Sequence, residues 1–358
     1  MRESRWLFAF AIASVHLIFA QTAKEGDFVL SDFQFADGER LSKLNLHYRS
    51  LGEPLRDQHG HVTNAVLIMH GTGGSGNQFL SPQFRDVLFQ PGQLLDATKY
   101  YVVLPDDIGH GGSSKPSDGL RGRFPHYGYS DMVTAEYRLV TEGLHVDHLR
   151  LVMGTSMGCM HSWMWAERYP GLMDAVMPLA CLPVPIAGRN RVWRDMLMDS
   201  IRDDPAWNEG DYKAPPPGLR GAIYMLIIAG SAPIQMQESA PTPQLADEYL
   251  AHQVAERIKM TDANDLLYAV ASSQDYDPSA DLEKIEAPVM FVNSADDFIN
   301  PPELGIAERE IQRVRRGKFV LIPASEQTHG HGTHTWANVW KQYLAELLDE
   351  SGQQTGLK

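Results

Sequence analysis

An apolar run, Leu149-Arg-Leu-Val-Met153, passes directly into Gly154-Thr-Ser156-Met-Gly158 and then into a helical stretch. That order forces strand, sharp turn and helix to follow one another. The turn holds Ser156 in a tight backbone with its hydroxyl outward, and the flanking glycines let strand and helix approach without a Cβ clash. The bare pattern is common. Its place between a buried strand and a helix is what restricts the fold.

The rest of the chain agrees with that restriction. Short, continuous apolar runs recur at Ala65–Met69, Tyr101–Leu104, Leu149–Met153, Ala175–Met177, Val289–Val292 and Phe319–Ile322. Continuous apolar strands suit a parallel sheet covered on both faces. Asp27–Phe35 and Leu44–Tyr48 read as an opening antiparallel pair. Helices are expected at Met132–Thr141, at Met157–Tyr169 before Pro170-Gly171, and at Trp336–Leu348. Strands alternating with helices predict an α/β fold with a mostly parallel, doubly wound sheet. Between Val184 and Tyr276 the rhythm breaks. This stretch carries Pro215-Pro-Pro217, a Ser239–Pro243 loop and long helical patterns. It reads as a helical cap inserted between residues 27–183 and 277–350 of the core.

Residues 1–20 read as a signal peptide: Arg2 and Arg5 precede the apolar run Trp6–Phe19, and Ala20-Gln-Thr-Ala23 offers small residues for cleavage. The expected location is therefore secreted or periplasmic, and no later segment is long enough to span a bilayer. A net charge of −14 over 358 residues argues against a nucleic-acid surface or an anionic membrane as partner. The two cysteines, Cys159 and Cys181, form no disulfide framework and no four-cysteine zinc site; two buried thiols and one bridge remain equally open. The oligomeric state is open as well, a homodimer included.

A serine hydroxyl needs an adjacent base, and the base needs an orienting group. Thr328-His-Gly-His-Gly-Thr-His334 follows the last strand, which is where a sheet enzyme of this type places its base. His331, between two glycines, is the expected base; His329 and His334 are expected to be loop or surface histidines. Three histidines in this segment also raise a metal reading, but alternating glycines in a loop give no rigid ligand frame. Neither metal nor cofactor is expected. The orienting carboxylate should follow a strand between serine and histidine in chain order. Val289–Val292 leads into Asp296-Asp297, and the two aspartates compete; the one that does not face the histidine should cap the following turn or helix. Backbone N–H groups of Met157 and of Thr72, in His70-Gly-Thr-Gly-Gly74, are the expected oxyanion donors, with Gly73 next. Asp106-Asp-Ile-Gly-His110 is expected to line the pocket floor, and His110 comes too early in the chain to be the base.

With these residues in place the chain resembles the α/β-hydrolase superfamily, and within it the homoserine O-acetyltransferase family, from about Leu44 to Leu347. Gly154–Gly158 with Glu167-Arg-Tyr-Pro170 resembles that family's serine turn. Ala187-Gly-Arg-Asn190, Asp204-Pro-Ala-Trp207 and Gly210-Asp-Tyr212 resemble the start of its cap. Asp297-Phe-Ile-Asn-Pro-Pro302 resembles its acid loop, whose catalytic aspartate stands four residues before a proline; this spacing selects Asp297. Gly330-His331 resembles its catalytic histidine. The resemblance implies a catalytic set of Ser156, Asp297 and His331 acting on a small acyl substrate. The family's cap also presents an arginine to the homoserine carboxylate, whereas no Lys or Arg occurs here between Arg220 and Arg257. The expected activity is that of a secreted serine hydrolase cleaving an ester or related acyl bond, with neutral esters preferred. The alternative is an O-acyltransferase using the same residues.

Overall fold

In the computed structural model, which describes residues 22–355, eight strands form one sheet in the order β1-β2-β4-β3-β5-β6-β7-β8. They are β1 (Lys24–Gln34), β2 (Arg40–Leu51), β3 (Ala65–Met69), β4 (Tyr101–Pro105), β5 (Leu151–Thr155), β6 (Val176–Leu179), β7 (Val289–Ser294) and β8 (Gly317–Ile322). The first two pair antiparallel, and β2 joins β4 antiparallel. Every later pairing is parallel. The signal peptide expected over residues 1–20 lies outside the described residues.

Ten α-helices accompany the sheet among the described residues: α1 (Pro82–Leu88), α2 (Tyr129–Arg138), α3 (Met157–Arg168), α4 (Gly188–Arg202), α5 (Gly218–Ala229), α6 (Pro233–Ser239), α7 (Pro243–Met260), α8 (Ala263–Ala271), α9 (Ile306–Glu310) and α10 (Ala337–Thr355). All five residues of β3 are buried. Ala65, Leu67 and Met69 join one core with Met132 and Trp163 of α2 and α3; Val66 and Ile68 join another with Phe84 of α1 and Trp340 of α10. Alternate side chains thus enter cores on opposite faces, which is why the run carries no polar residue.

Local chemistry accounts for the helix bounds. Helix α2 begins three residues earlier than its apolar pattern suggests, because Asp131 accepts the Gly128 N–H at 2.9 Å and Asp275 accepts those of Tyr129 and Ser130 at 2.8 and 2.9 Å. These carboxylates satisfy N–H groups that a helix start leaves free. Helices α4 to α8 lie between β6 and β7 and form a cap with its own core, in which Leu197 and Ile201 meet Leu219, Ile223, Leu266 and Val270. Thr242 caps α7 and Asp262 caps α8 through side-chain oxygens. Among the described residues no single helix is long and apolar enough to cross a membrane. Cys159 of α3 and Cys181, just after β6, form a disulfide with Cα atoms 5.9 Å apart.

Candidate functional site

Ser156 stands between β5 and α3 with φ 55° and ψ −107°, a backbone conformation that L-residues rarely adopt. The neighbouring structure enforces it. The Ser156 N–H donates to Leu179 O at 2.9 Å and the Gly158 N–H to His70 O at 2.9 Å. A Cβ at Gly154 would lie 1.9 Å from Gly158 O, and one at Gly158 would lie 2.1 Å from Met69 O, so neither position admits a side chain.

The sheet brings Asp297 and His331 to this serine from loops after β7 and β8. His331 Nε2 is 2.8 Å from Ser156 Oγ, and His331 Nδ1 is 2.8 Å from Asp297 Oδ2. The Asp297 carboxylate is buried. Ile299 N–H donates to its Oδ1 at 2.8 Å, and Asn300 Nδ2 donates to its Oδ2 at 2.9 Å. Burial disfavours its charge, but His331, Asn300 and the Ile299 N–H outweigh burial and hold its pKa below the ordinary value. An ionised acid there fixes the Nδ1–H tautomer of His331 and leaves Nε2 free to take a proton from Ser156.

Asp296 does not cap the following turn, as the sequence suggested. Its Oδ2 accepts from Thr328 Oγ1 at 2.8 Å and from the Gly330 N–H at 3.0 Å, so it ties the loop after β7 to the loop carrying His331. His329 stacks on Trp336 with ring centroids 4.1 Å apart. His334, in the same loop, is half-buried: its Nδ1 is enclosed without a partner, and its ring meets His331 edge-on at 5.2 Å. Among the described residues, His329, His331 and His334 do not bring their ring nitrogens together as one ligand set.

The His70–Gly74 loop lies against the serine, since a Cβ at Gly71 would sit 3.2 Å from Ser156 Cβ. Among the described residues, neither the Thr72 nor the Met157 N–H donates to a backbone or side-chain acceptor. Behind this loop is a buried polar cluster that sequence reasoning missed. His70 Nδ1 donates to Gly71 O at 2.8 Å, and His70 Nε2 accepts the Asp107 N–H at 3.1 Å. His161 Nδ1 is 2.9 Å from Glu136 Oε1, and Trp165 Nε1 donates to Glu136 Oε2 at 2.6 Å. Asp107, Glu136 and His161 present possible ligand atoms within 4.8 Å of one another. Burial pushes Asp107 well above the usual carboxylate range, with Glu136 adding to it, and burial pushes Glu136 up to about 7. These groups come from three separate elements, so no local spacing announces them. Asp107 thus lies in the loop's support, whereas Asp106 pairs with Arg49 at 3.0 Å. His110 is buried, which pushes its pKa down to about 3; its Nδ1 is 2.9 Å from Ile108 O.

A cavity of about 970 Å³ opens beside the acid, walled by residues that include Met160, Leu182, Ile186, Asn190, Asp297 and Ile299. Arg189 also lines it, with its guanidinium 4.0 Å over the Phe298 ring.

A protein-family model described as alpha/beta hydrolase fold matches residues 64–326. A homoserine O-acetyltransferase from Pelobacter propionicus is 28% identical, the match covering 92% of this chain and 98% of that protein. A probable acyltransferase from Methanothermobacter thermautotrophicus is 27% identical over 77% of this chain and 84% of its own length. Among solved structures, a homoserine O-acetyltransferase from Bacillus anthracis superposes with a TM-score of 0.80 at 19% identity, covering 92% of this chain and 98% of that one. An acetylester hydrolase from Corynebacterium glutamicum gives 0.78 at 19% identity, covering 91% and 96%. At that identity the structural likeness speaks for the fold.

Proposed function

Because the chain belongs to the alpha/beta hydrolase fold family, we propose that it transfers acyl groups through an acyl-enzyme on Ser156. One observation carries this reading: His331 stands 2.8 Å from Ser156 Oγ on one side and 2.8 Å from Asp297 Oδ2 on the other. Ser156 Oγ attacks the acyl carbon and gives its proton to His331 Nε2. Asp297 stabilises the imidazolium without taking its proton. The carbonyl oxygen, now negative, is met by the N–H groups of Thr72 and Met157. Collapse of the intermediate breaks the bond to the leaving group, which takes the proton from His331. A hydroxyl acceptor then gives its proton to His331, attacks the acyl-serine and leaves with the acyl group, restoring Ser156.

The acceptor in the first reading is a small alcohol, which makes the protein an O-acyltransferase. The relatives named as acyltransferases support it. The second reading, ester hydrolysis with water as acceptor, is favoured by one feature: the cap segment Gly221–Glu256 carries no Lys or Arg to hold a charged acceptor. A panel of p-nitrophenyl esters separates the two. Turnover that rises when alcohols are added, with an ester of the added alcohol as product, supports transfer; turnover indifferent to every alcohol supports hydrolysis. Failure of fluorophosphonate to label Ser156 would remove both.

Export is part of the same proposal. Its support is the residue 1–20 pattern together with the Cys159–Cys181 bridge, a bond that persists in oxidising compartments. The intact mass of the protein recovered outside the cytoplasm should correspond to a chain lacking its first residues.

A further inference from the structure

The cavity beside the acid has an exposed rim and a buried inner end. Pro185, Ala187 and Leu304 on the rim are exposed, whereas Met160 and Asp297 are each 3% exposed. Both inner residues adjoin the reacting groups. Asp297 bonds His331, and Met160, one helical turn after Ser156, donates its N–H to Ser156 O at 3.2 Å. The space thus leads from solvent toward the serine end of α3.

Its walls are apolar. Leu182 and Ile186 come from the segment between β6 and α4, Ile299 and Pro301 from the acid loop, and Met236 from α6 of the cap. The polar side chains among them are tied elsewhere. Asn190 Oδ1 accepts from Arg194, Ser231 Oγ donates to Ile228 O at 2.8 Å, and Asp296 holds Thr328 and Gly330. Arg189 lies over the Phe298 ring and donates to Phe298 O. Asp296, Asp297 and Glu303 set three carboxylates around the space against that one committed guanidinium, so an anionic group is disfavoured there. Asn300 Oδ1, enclosed without a partner, can only accept a hydrogen bond.

Size points the same way. The volume of about 970 Å³ is near the top of the range that holds drug-sized ligands, roughly 300 to 1,000 Å³. An acetyl group leaves most of such a space unfilled and its apolar walls uncovered. We infer that this cavity seats an uncharged, medium-length alkyl chain attached to the scissile ester. Its placement relative to Ser156 rests on the acyl-enzyme reading. The chain has two sources: the acyl half, as in an octanoyl ester, or the alcohol half, as in octyl acetate.

The test is the chain-length profile of kcat/KM for the full chain, with each substrate kept below its solubility limit. p-Nitrophenyl alkanoates from acetate to dodecanoate vary the acyl half. Alkyl acetates from ethyl to decyl, followed by acid release, vary the alcohol half. At least one series should climb by about two- to fourfold per methylene, to a maximum near its octanoyl or octyl member. The series that climbs names the half. Ala187→Trp, on the exposed rim, and Leu182→Trp, on the wall, should each cut the ratio of long-chain to short-chain kcat/KM by about tenfold or more. Two flat series, or a ratio unmoved by either tryptophan, overturns the inference. Ala187→Trp asks no repacking of the core, so the comparison decides even if Leu182→Trp does not fold. Fluorophosphonate labelling of Ser156 in the unmutated protein is read separately. Failure to label removes the acyl-enzyme reading, whereas labelling with two flat series removes the alkyl-chain inference alone.

Discussion

Asp296 holds the loop of the histidine through Gly330, whose N–H reaches Asp296 Oδ2 at 3.0 Å, while its neighbour Asp297 holds the histidine ring itself. Two adjacent carboxylates thus act on one loop at different points, one on backbone and one on imidazole. Successive side chains at the end of β7 point apart, and both directions are in use.

This division makes the two aspartates separable. Asp297→Asn presents the wrong tautomer to His331 and should lower kcat on a p-nitrophenyl ester by roughly 10³- to 10⁴-fold. Asp296→Asn leaves the ring's partner in place; its rate should fall by about tenfold or less, with a lower thermal midpoint from the loosened loop. Equal losses of rate in the two variants would contradict the division.

Ser156→Ala should abolish fluorophosphonate labelling and cut ester turnover by several orders of magnitude while the circular dichroism spectrum is unchanged. Labelling of the variant at the parent rate would place the nucleophile elsewhere.

Both ring nitrogens of His331 are committed, to Ser156 and to Asp297. A proton-transfer role of this kind does not depend on Lewis acidity. Ester turnover should survive exhaustive dialysis against EDTA. Activity lost on dialysis and restored by zinc would contradict it.

Glu167 gives a pH signature. Burial raises its pKa to about 8, with Asp281 adding to the effect. The folded state thus holds this proton more tightly than the unfolded chain does. The stability it contributes is complete below the ordinary glutamate value and is lost as pH rises through about 8. Glu167→Gln should therefore raise the thermal midpoint by a few degrees under mildly alkaline conditions and leave it unchanged in acid. The same gain in acid would show that charge is not the cause.

The disulfide spans 22 residues of chain. Closing such a loop restricts the unfolded ensemble, and replacing both Cys159 and Cys181 by Ala should lower unfolding stability by about 3 kcal/mol on the loop-entropy account. Urea denaturation of the oxidised parent and the double variant measures the difference.

What the sequence made legible follows the range of its signals. The strand runs and the turn at Ser156 are local and apolar, and they mark the sheet and the place of Ser156 with small shifts at the ends. Strand β5 starts at Leu151 rather than Leu149, because Leu149 makes only an isolated bridge with Met173. Asp297 needed a family spacing to be told from Asp296, since two neighbours in a loop carry no periodicity. The Asp107–Glu136–His161 cluster assembles from distant elements, so only tertiary packing reveals it. Asn300 had a weaker sign: it stands three residues after Asp297, where an Asx turn would put a partner.

The insertion between β6 and β7 also bears on descent. Ser156 leaves β5, Asp297 leaves β7 and His331 leaves β8, while the strand that launches the cap carries none of the three. Loss, gain or exchange of cap helices can therefore proceed at a splice point that leaves the reacting atoms on the sheet undisturbed. A lineage built this way changes what it accepts far more readily than what it does, and a graft of another cap between Leu179 and Val289 should inherit the chemistry with a new clientele.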